Sequence, residues 1–321
     1  MNAKAGAQEG FDQARDDLIA LSHRIHANPE VGFEEEKAAS WLSETLADAG
    51  FSVETGICDL PTAFIARAGS GPLHIGICAE YDSLPGIGHA CGHNIIAAAS
   101  VGAGIAAAKV ADDVGLTISV IGTPAEEVCD AGGKILLLER GAFEGMHAAM
   151  MVHPAPMDVV EFPIIAASMF EVCYHGKEAH ASAFPERGIN AADALTVAQT
   201  AIGLLRQHIR STDRIHGIIT KGGEAPNIIP AHTVAKYIVR ANTLADLDEI
   251  KDKVLKCFEA GALATGSELE ILGGEKPYAE MLHDPDMAAA YRRNAEALGR
   301  TFPDFGPAAQ RAAGSTDMGN V

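Results

Sequence analysis

Three short apolar runs, LHIGICA (73–79), LTISVIG (116–122) and AAMMV (148–152), are separated by stretches that read as helices. Helical crossovers between strands make a parallel sheet with both faces covered. In such an open sheet, the loops leaving the carboxyl ends of the strands line one crevice. Each run leads directly into residues with metal-ligand chemistry: EYDSLPGIGHACGHN, TPAEE and HPAP. Asp82, Cys91, His93, Glu126, Glu127 and His153 are therefore expected along one edge of the sheet.

Helices at 11–27 and 34–48 precede strand-like runs at 51–57 and 63–68. An Ala-rich helix (94–109) and a helix at 131–140 separate the three runs. After about residue 165 the pattern restarts as strand 167–175, helix 189–207, strands 213–221 and 232–242, helix 246–263 and strand 267–272. That order is the ferredoxin-like β-α-β-β-α-β unit. The expected architecture is thus α/β. Residues 1–166 build a mostly parallel sheet with helices on both faces. Residues 167–279 form an inserted ferredoxin-like α+β lid or dimerisation domain. Residues 280–321 return to the first domain, with a helix at 286–299.

The net charge of −19 argues against nucleic acid, whose phosphates need a basic patch. Six cysteines without a C-x-x-C pair favour a reducing compartment, hence a cytoplasmic location. The segment MNAKAGAQEG has no apolar core of a secretory signal, so none is expected. The longest apolar run, 95–108, is too short for a bilayer and reads as a buried helix, so no membrane partner is expected.

Cys91 and His93, two apart in one loop, can reach a single ion, and thiolate and imidazole suit zinc and its neighbours. His89 adds to the ligand-type residues there. Asp82 can accept the second N–H of a ligand histidine and fix its tautomer; Glu80, at the same strand end, is left ambiguous. TPAEE reads as extended, so its adjacent carboxylates point opposite ways, one to metal and one to the cleft as a base. His153 directly follows the third run. In the second domain His180 can donate to a developing oxyanion, with His175 as its rival. Asn227 lies in a turn between two strands and offers an amide to a substrate carboxylate. Arg240, late in the next strand, can hold a carboxylate bidentately.

Together with HRIHANPEVGFEEE, HGKEAHASAFPERGINAADA, GGEAPNIIP and GSTDMGNV, these stretches resemble the aminoacylase–carboxypeptidase family of two-metal exopeptidases and amidohydrolases. The branch they look most like contains aminobenzoyl-glutamate hydrolase and β-alanyl-lysine-type dipeptidases. The resemblance implies a metallopeptidase-like catalytic domain and two divalent ions per subunit, zinc or manganese, with cobalt or nickel permitted. It implies Cys91, His93, Glu127 and His153 as metal ligands, Glu126 as general base and Asp82 as the orienting carboxylate. It implies His180 as a lid-domain histidine acting across a homodimer paired through 167–279. Asn227 and Arg240 match substrate-holding positions, and Gly314, Ser315 and Thr316 a loop on the cleft floor.

The activity so implied is hydrolysis of the amide of an N-acyl amino acid or small dipeptide. Two alternatives stand beside it: a catalytically impaired metal-binding homologue, and a hydrolase of a non-peptide C–N bond. In the family a last histidine ligand follows the GSTDMGNVS-type motif, inside which this sequence stops at Val321. Four ligands for two ions lead to the expectation of one weak metal site and a poorly ordered 300–321.

Overall fold

The computed structural model describes residues 2–303 and 313–321. They divide into two compact units, the first within 1–160, 285–304 and 320–321, the second within 161–284 and 305–319.

The first unit opens with helices α1 (Ala3–His26) and α2 (Glu36–Asp48). Its sheet has the order β1-β2-β4-β3-β5, from β1 (Ser52–Thr55), β2 (Phe64–Ala68), β3 (Leu73–Ala79), β4 (Leu116–Gly122) and β5 (Ala148–Met150). The three apolar runs form the parallel part, β3 lying between β4 and β5. Strands β2 and β1 continue the sheet antiparallel. The alternation of side chains along a strand divides the core in two. Phe64, Ala66 and Val120 pack with Leu18, Leu21, Ile25, Leu42, Leu46, Ala97 and Val101 from α1, α2 and α3 (His93–Ala108). Their sequence neighbours Ile65 and Ile121 face the other way, onto Leu137 of α4 (Gly133–Glu139). The expected α/β layering, with helices on both faces, is borne out.

The Ala/Gly composition of α3 has a packing reason. A Cβ on Gly104 would lie 2.3 Å from Val120 Cγ2, and one on Gly102 2.8 Å from Leu18 Cδ1. Only a thin helix fits between β4 and α1.

Helix α1 begins well before the expected residue 11. Asn2 caps it by accepting from the Lys4 N–H at 3.1 Å, and Gly10 lies so close to the Lys109 side chain that a Cβ would clash. Gly10, which interrupts the helical pattern, is there for contact with the end of α3. Strand β1 is shorter than expected because Gly56 turns left-handed at φ 68°. Helix α7 (Pro285–Ala297) returns to this unit, where Lys4 Nζ donates to Asn294 Oδ1 at 2.7 Å.

The second unit follows the expected order: β6 (Ala166–His175), α5 (Ala191–Leu205), β7 (Arg214–Lys221), β8 (His232–Ala241), α6 (Leu244–Thr265) and β9 (Glu268–Gly273). The strands form an antiparallel sheet in the order β7-β8-β6-β9. Phe170, Val172 and Tyr174 of β6 and Ala235, Tyr237 and Val239 of β8 bury one face beneath α5 and α6. Part of 300–321, the segment expected to be poorly ordered, packs in this unit. Gly314 forms a parallel bridge to Ile164, and Thr316 and Asp317 are buried. Residues 304–312 lie outside the described residues.

Two glycines of this unit should respond to alanine in opposite directions. A Cβ on Gly261 in α6 would sit 2.3 Å from the Ala194 carbonyl oxygen of α5. Gly261→Ala should cost about 1–3 kcal/mol through overpacking. Gly203 in α5 has open space at that position, so Gly203→Ala should gain up to about 1 kcal/mol of helix propensity. Thermal unfolding of both variants reads the sign.

Candidate metal centre

The parallel register aligns the strand ends. Ala79 of β3 pairs with Gly122 of β4, and Ile77 with Met150 of β5. The Thr123 N–H and hydroxyl both donate to the Ala79 carbonyl, at 2.8 and 3.0 Å. Residues 80–82 and 123–127 therefore leave the sheet together.

His93 is the first residue of α3, one position earlier than expected, and is fully buried. Gly92 before it is left-handed at φ 89°, and a Cβ there would lie 2.7 Å from Pro154 Cγ. Glycine thus lets the Cys91–His93 loop close on the His153–Pro154 loop. Asp82 joins two of the loops. Its Oδ1 lies 2.8 Å from His93 Nδ1, and its Oδ2 accepts the Glu127 N–H at 2.9 Å. Donation from Nδ1–H leaves Nε2 as the ligand nitrogen.

Around His93 Nε2 lie Glu80 Oε2 at 3.4 Å, Glu126 Oε2 at 3.8 Å and Glu127 Oε1 at 3.8 Å. Cys91 Sγ is 3.5 Å from His153 Nε2, whose other ring nitrogen meets the Pro154 carbonyl at 2.8 Å. The rings of His93 and His153 stand edge-on, 6.0 Å apart. Cys91, His93 and His153 offer one mutually close set of ligand atoms, and Glu80, His93 and Glu126 another.

The donor set fits divalent cations. His93 Nε2, Glu80 Oε2 and Glu127 Oε1 are all buried with no hydrogen-bond partner. Buried polar atoms are almost always paired, so three orphans converging on one place mark a site for an ion. The fields agree. Burial opposes a charge on His93, yet the hydrogen bond to Asp82, the neighbouring Cys91 thiol and the acids around it push its pKa up to about 12. The hydrogen bond with His153 and the nearby His93 ring lower that of the Cys91 thiol. Burial raises that of Glu127. A place that draws protons this strongly would also draw a cation.

One expectation needs correction. TPAEE is not extended: Ala125 is left-handed at φ 60°, and Glu126–Val128 form a 3-10 turn. Both carboxylates approach the same His93 nitrogen, so opposed directions do not separate ligand from base. Glu80, ambiguous in sequence, is fully buried here, its Oε1 held at 2.5 Å by Nζ of the equally buried Lys134. Lys134 was missed; its signal was a single charge in the apolar stretch GGKILLL. His89 is buried beside His26 and belongs to neither ligand set among the described residues.

The remaining candidates lie in the second unit. His180 is exposed, and its Nδ1 accepts from the Ser182 and Ala183 N–H groups at 3.3 and 3.2 Å. A neutral ring so held carries its proton on Nε2, as an outward donor. The Asn227 carbonyl accepts from the Ala181 N–H at 3.0 Å, which places the exposed Asn227 beside His180. Arg240 donates to Ser315 Oγ at 3.1 Å, joining β8 to the segment of Gly314, Ser315 and Thr316. His175 meets Glu270 and stacks on His232 instead.

Lys134→Met should leave Glu80 buried without its counter-charge and destabilise the metal-free protein by about 3–5 kcal/mol. Adding Glu80→Gln should recover part of that loss. Chemical denaturation of the chelated variants measures both.

Several known proteins are similar to the chain. The M20 profile described as "Peptidase dimerisation domain" matches residues 167–265. The Xaa-Arg dipeptidase of Mus musculus is 38% identical over 333 residues, covering 99% of this chain and 77% of that protein. A subunit of the p-aminobenzoyl-glutamate hydrolase of Escherichia coli K12 is 33% identical over 283 residues, covering 82% of this chain and 58% of that protein. Among solved structures, a dinuclear metal-binding peptidase of the M20 family from Bacillus subtilis superposes with a TM-score of 0.66 at 22% identity. That match covers 96% of this chain and 86% of the other.

Proposed function

The chain belongs to the M20 family of aminoacylases, carboxypeptidases and dipeptidases, and on that footing we propose how its residues carry out amide hydrolysis. It is a metal-dependent amidohydrolase of the dipeptidase type. The observation that carries the residue-level reading is the meeting of three buried, unpartnered ligand atoms, from Glu80, His93 and Glu127, beside Cys91 and His153. We assign Cys91, His93, Glu127 and His153 as holders of two divalent ions, zinc or manganese by their mixed ligands, with cobalt or nickel also compatible. Glu80 adds a carboxylate to that set. Bound ions of this kind polarise a carbonyl and make water a nucleophile at neutral pH.

The protein groups do the rest. Asp82 orients His93. Glu126 takes the proton of the attacking water and hands it to the leaving amine. The Nε2–H of His180 donates to the developing oxyanion. Arg240 and Asn227 hold the substrate carboxylate, beside the Gly314–Thr316 segment. The substrate is a small dipeptide or an N-acyl amino acid; a C-terminal arginine is the first to try, given the mouse relative's name. The dimerisation-domain match supports a homodimer paired through 167–279, with His180 serving the partner subunit's centre. Six cysteines without a C-x-x-C pair support a cytoplasmic setting. Among the described residues no helix is long and apolar enough to cross a membrane.

Glu126→Gln should lower kcat by roughly 10²–10⁴-fold with metal content intact, whereas Glu127→Gln should lose metal. Turnover of a metal-supplemented dipeptide and acyl-amino-acid panel, with elemental analysis, reads both. Near-normal Glu126→Gln activity, or equal metal loss in the two variants, contradicts the assignment. Mixing Glu126→Gln with His180→Ala subunits should restore activity. No recovery after confirmed exchange counts against action across the dimer.

A further inference from the structure

The stretch HRIHANPEVGFEEE enters no step above, yet its loop, residues 28–35 between α1 and α2, touches two of the segments that form the centre. The Glu30 carbonyl accepts from Ser83, next to Asp82, through both N–H and hydroxyl, at 2.8 and 2.9 Å. The Glu30 carboxylate caps α2 by accepting from the Lys37 and Ala38 N–H groups. Glu35, the cap residue of α2 by position, makes no cap bond with its side chain. Its carboxylate is fully buried and turned elsewhere. Oε1 accepts the Ala125 N–H at 2.8 Å, and Oε2 accepts the Thr62 hydroxyl at 3.0 Å. Thr62 is tied in turn to the buried Tyr81, whose hydroxyl donates to the Thr62 carbonyl at 2.6 Å.

Ala125 needs holding. A side chain disfavours φ 60°, ψ 45° because its Cβ crowds the following carbonyl oxygen, and the Glu126–Val128 turn starts from it. Burial pushes the Glu35 carboxyl up to about 7, a cost a helix cap alone would not require. Gly32 of the same loop lies against the turn from another side. A Cβ there would meet Val128 Cγ2 at 2.8 Å and Ala125 Cα and Cβ at 3.0 Å.

We infer that Glu35 is a positioning residue for the reaction: its bond to the Ala125 N–H holds the left-handed turn that places Glu126 and Glu127 at the centre. This rests on the reading of those two carboxylates given above.

The test separates the acceptor from mere filling of space. Glu35→Met removes the acceptor at similar length, whereas Glu35→Gln keeps a carbonyl oxygen for Ala125. Zinc retention is measured by chelator competition, which needs no substrate, and kcat and KM by dipeptide hydrolysis. Glu35→Met should hold zinc at least about tenfold more weakly and lose kcat about tenfold or more, with KM within about threefold. Glu35→Gln should stay near wild type. Adding Ala125→Gly to Glu35→Met should recover both readouts at least about threefold, because glycine holds φ 60° without support. A structural role for Glu35 elsewhere would not respond to that change. Gly32→Ala, pressing on the same turn, should reproduce the zinc and kcat losses, and it decides the matter if Glu35→Met does not fold. Wild-type zinc retention in Glu35→Met, failure of Ala125→Gly to recover it, or a silent Gly32→Ala overturns the inference. A wild-type protein that holds zinc but hydrolyses nothing defeats the functional reading instead, and the zinc measurements still decide on Glu35.

Discussion

Asp82 spends one oxygen on the His93 ring and the other on the Glu127 backbone, and the centre depends on that division. The residue sits just past β3, His93 opens α3, and Glu127 belongs to the turn after β4. A single buried carboxylate thereby sets the distance between two loops and the face that the imidazole turns inward. With Nδ1 engaged, only Nε2 remains to face Glu80, Glu126 and Glu127. The register of β3 on β4 fixes where Asp82 can stand, and the small residues of α3 let His93 approach. Sheet, helix and turn are thus joined by two hydrogen bonds to one side chain.

The charge balance of the centre follows. Several acids and a thiol gather in this place, and lost hydration disfavours a charge on Glu127. Within the chain the compensation comes from Lys134 on Glu80 and from the cationic tendency of His93. Divalent cations bring more positive charge and engage the orphaned ligand atoms as well. Metal binding and the stability of this part of the fold should therefore be coupled.

What the sequence made legible was set by period and position. LHIGICA and LTISVIG announced buried parallel strands, and the residues just past them do gather at one edge. The β-α-β-β-α-β order of the second unit was equally plain, because each element there has its own amphipathic pattern. Other features lay beyond such reading. The left-handed Ala125 carries no glycine signal, since its conformation depends on the distant Glu35. Glu80 looked like any acid at a strand end until the buried Lys134 gave it a partner. The early start of α1 was hidden by Gly6 and Gly10, which are penalised in an isolated helix but buried in this one. Each depends on a contact between residues far apart in the chain.

The central claim is that the three strand ends build one metal centre around His93. Anomalous X-ray diffraction from crystals of the zinc-loaded protein tests it most directly. Zinc should appear at about 2.0–2.3 Å from His93 Nε2 and from ligand atoms among Cys91, His153, Glu80 and Glu127. Fully occupied zinc bound elsewhere, with His93 Nε2 uncoordinated, would contradict it.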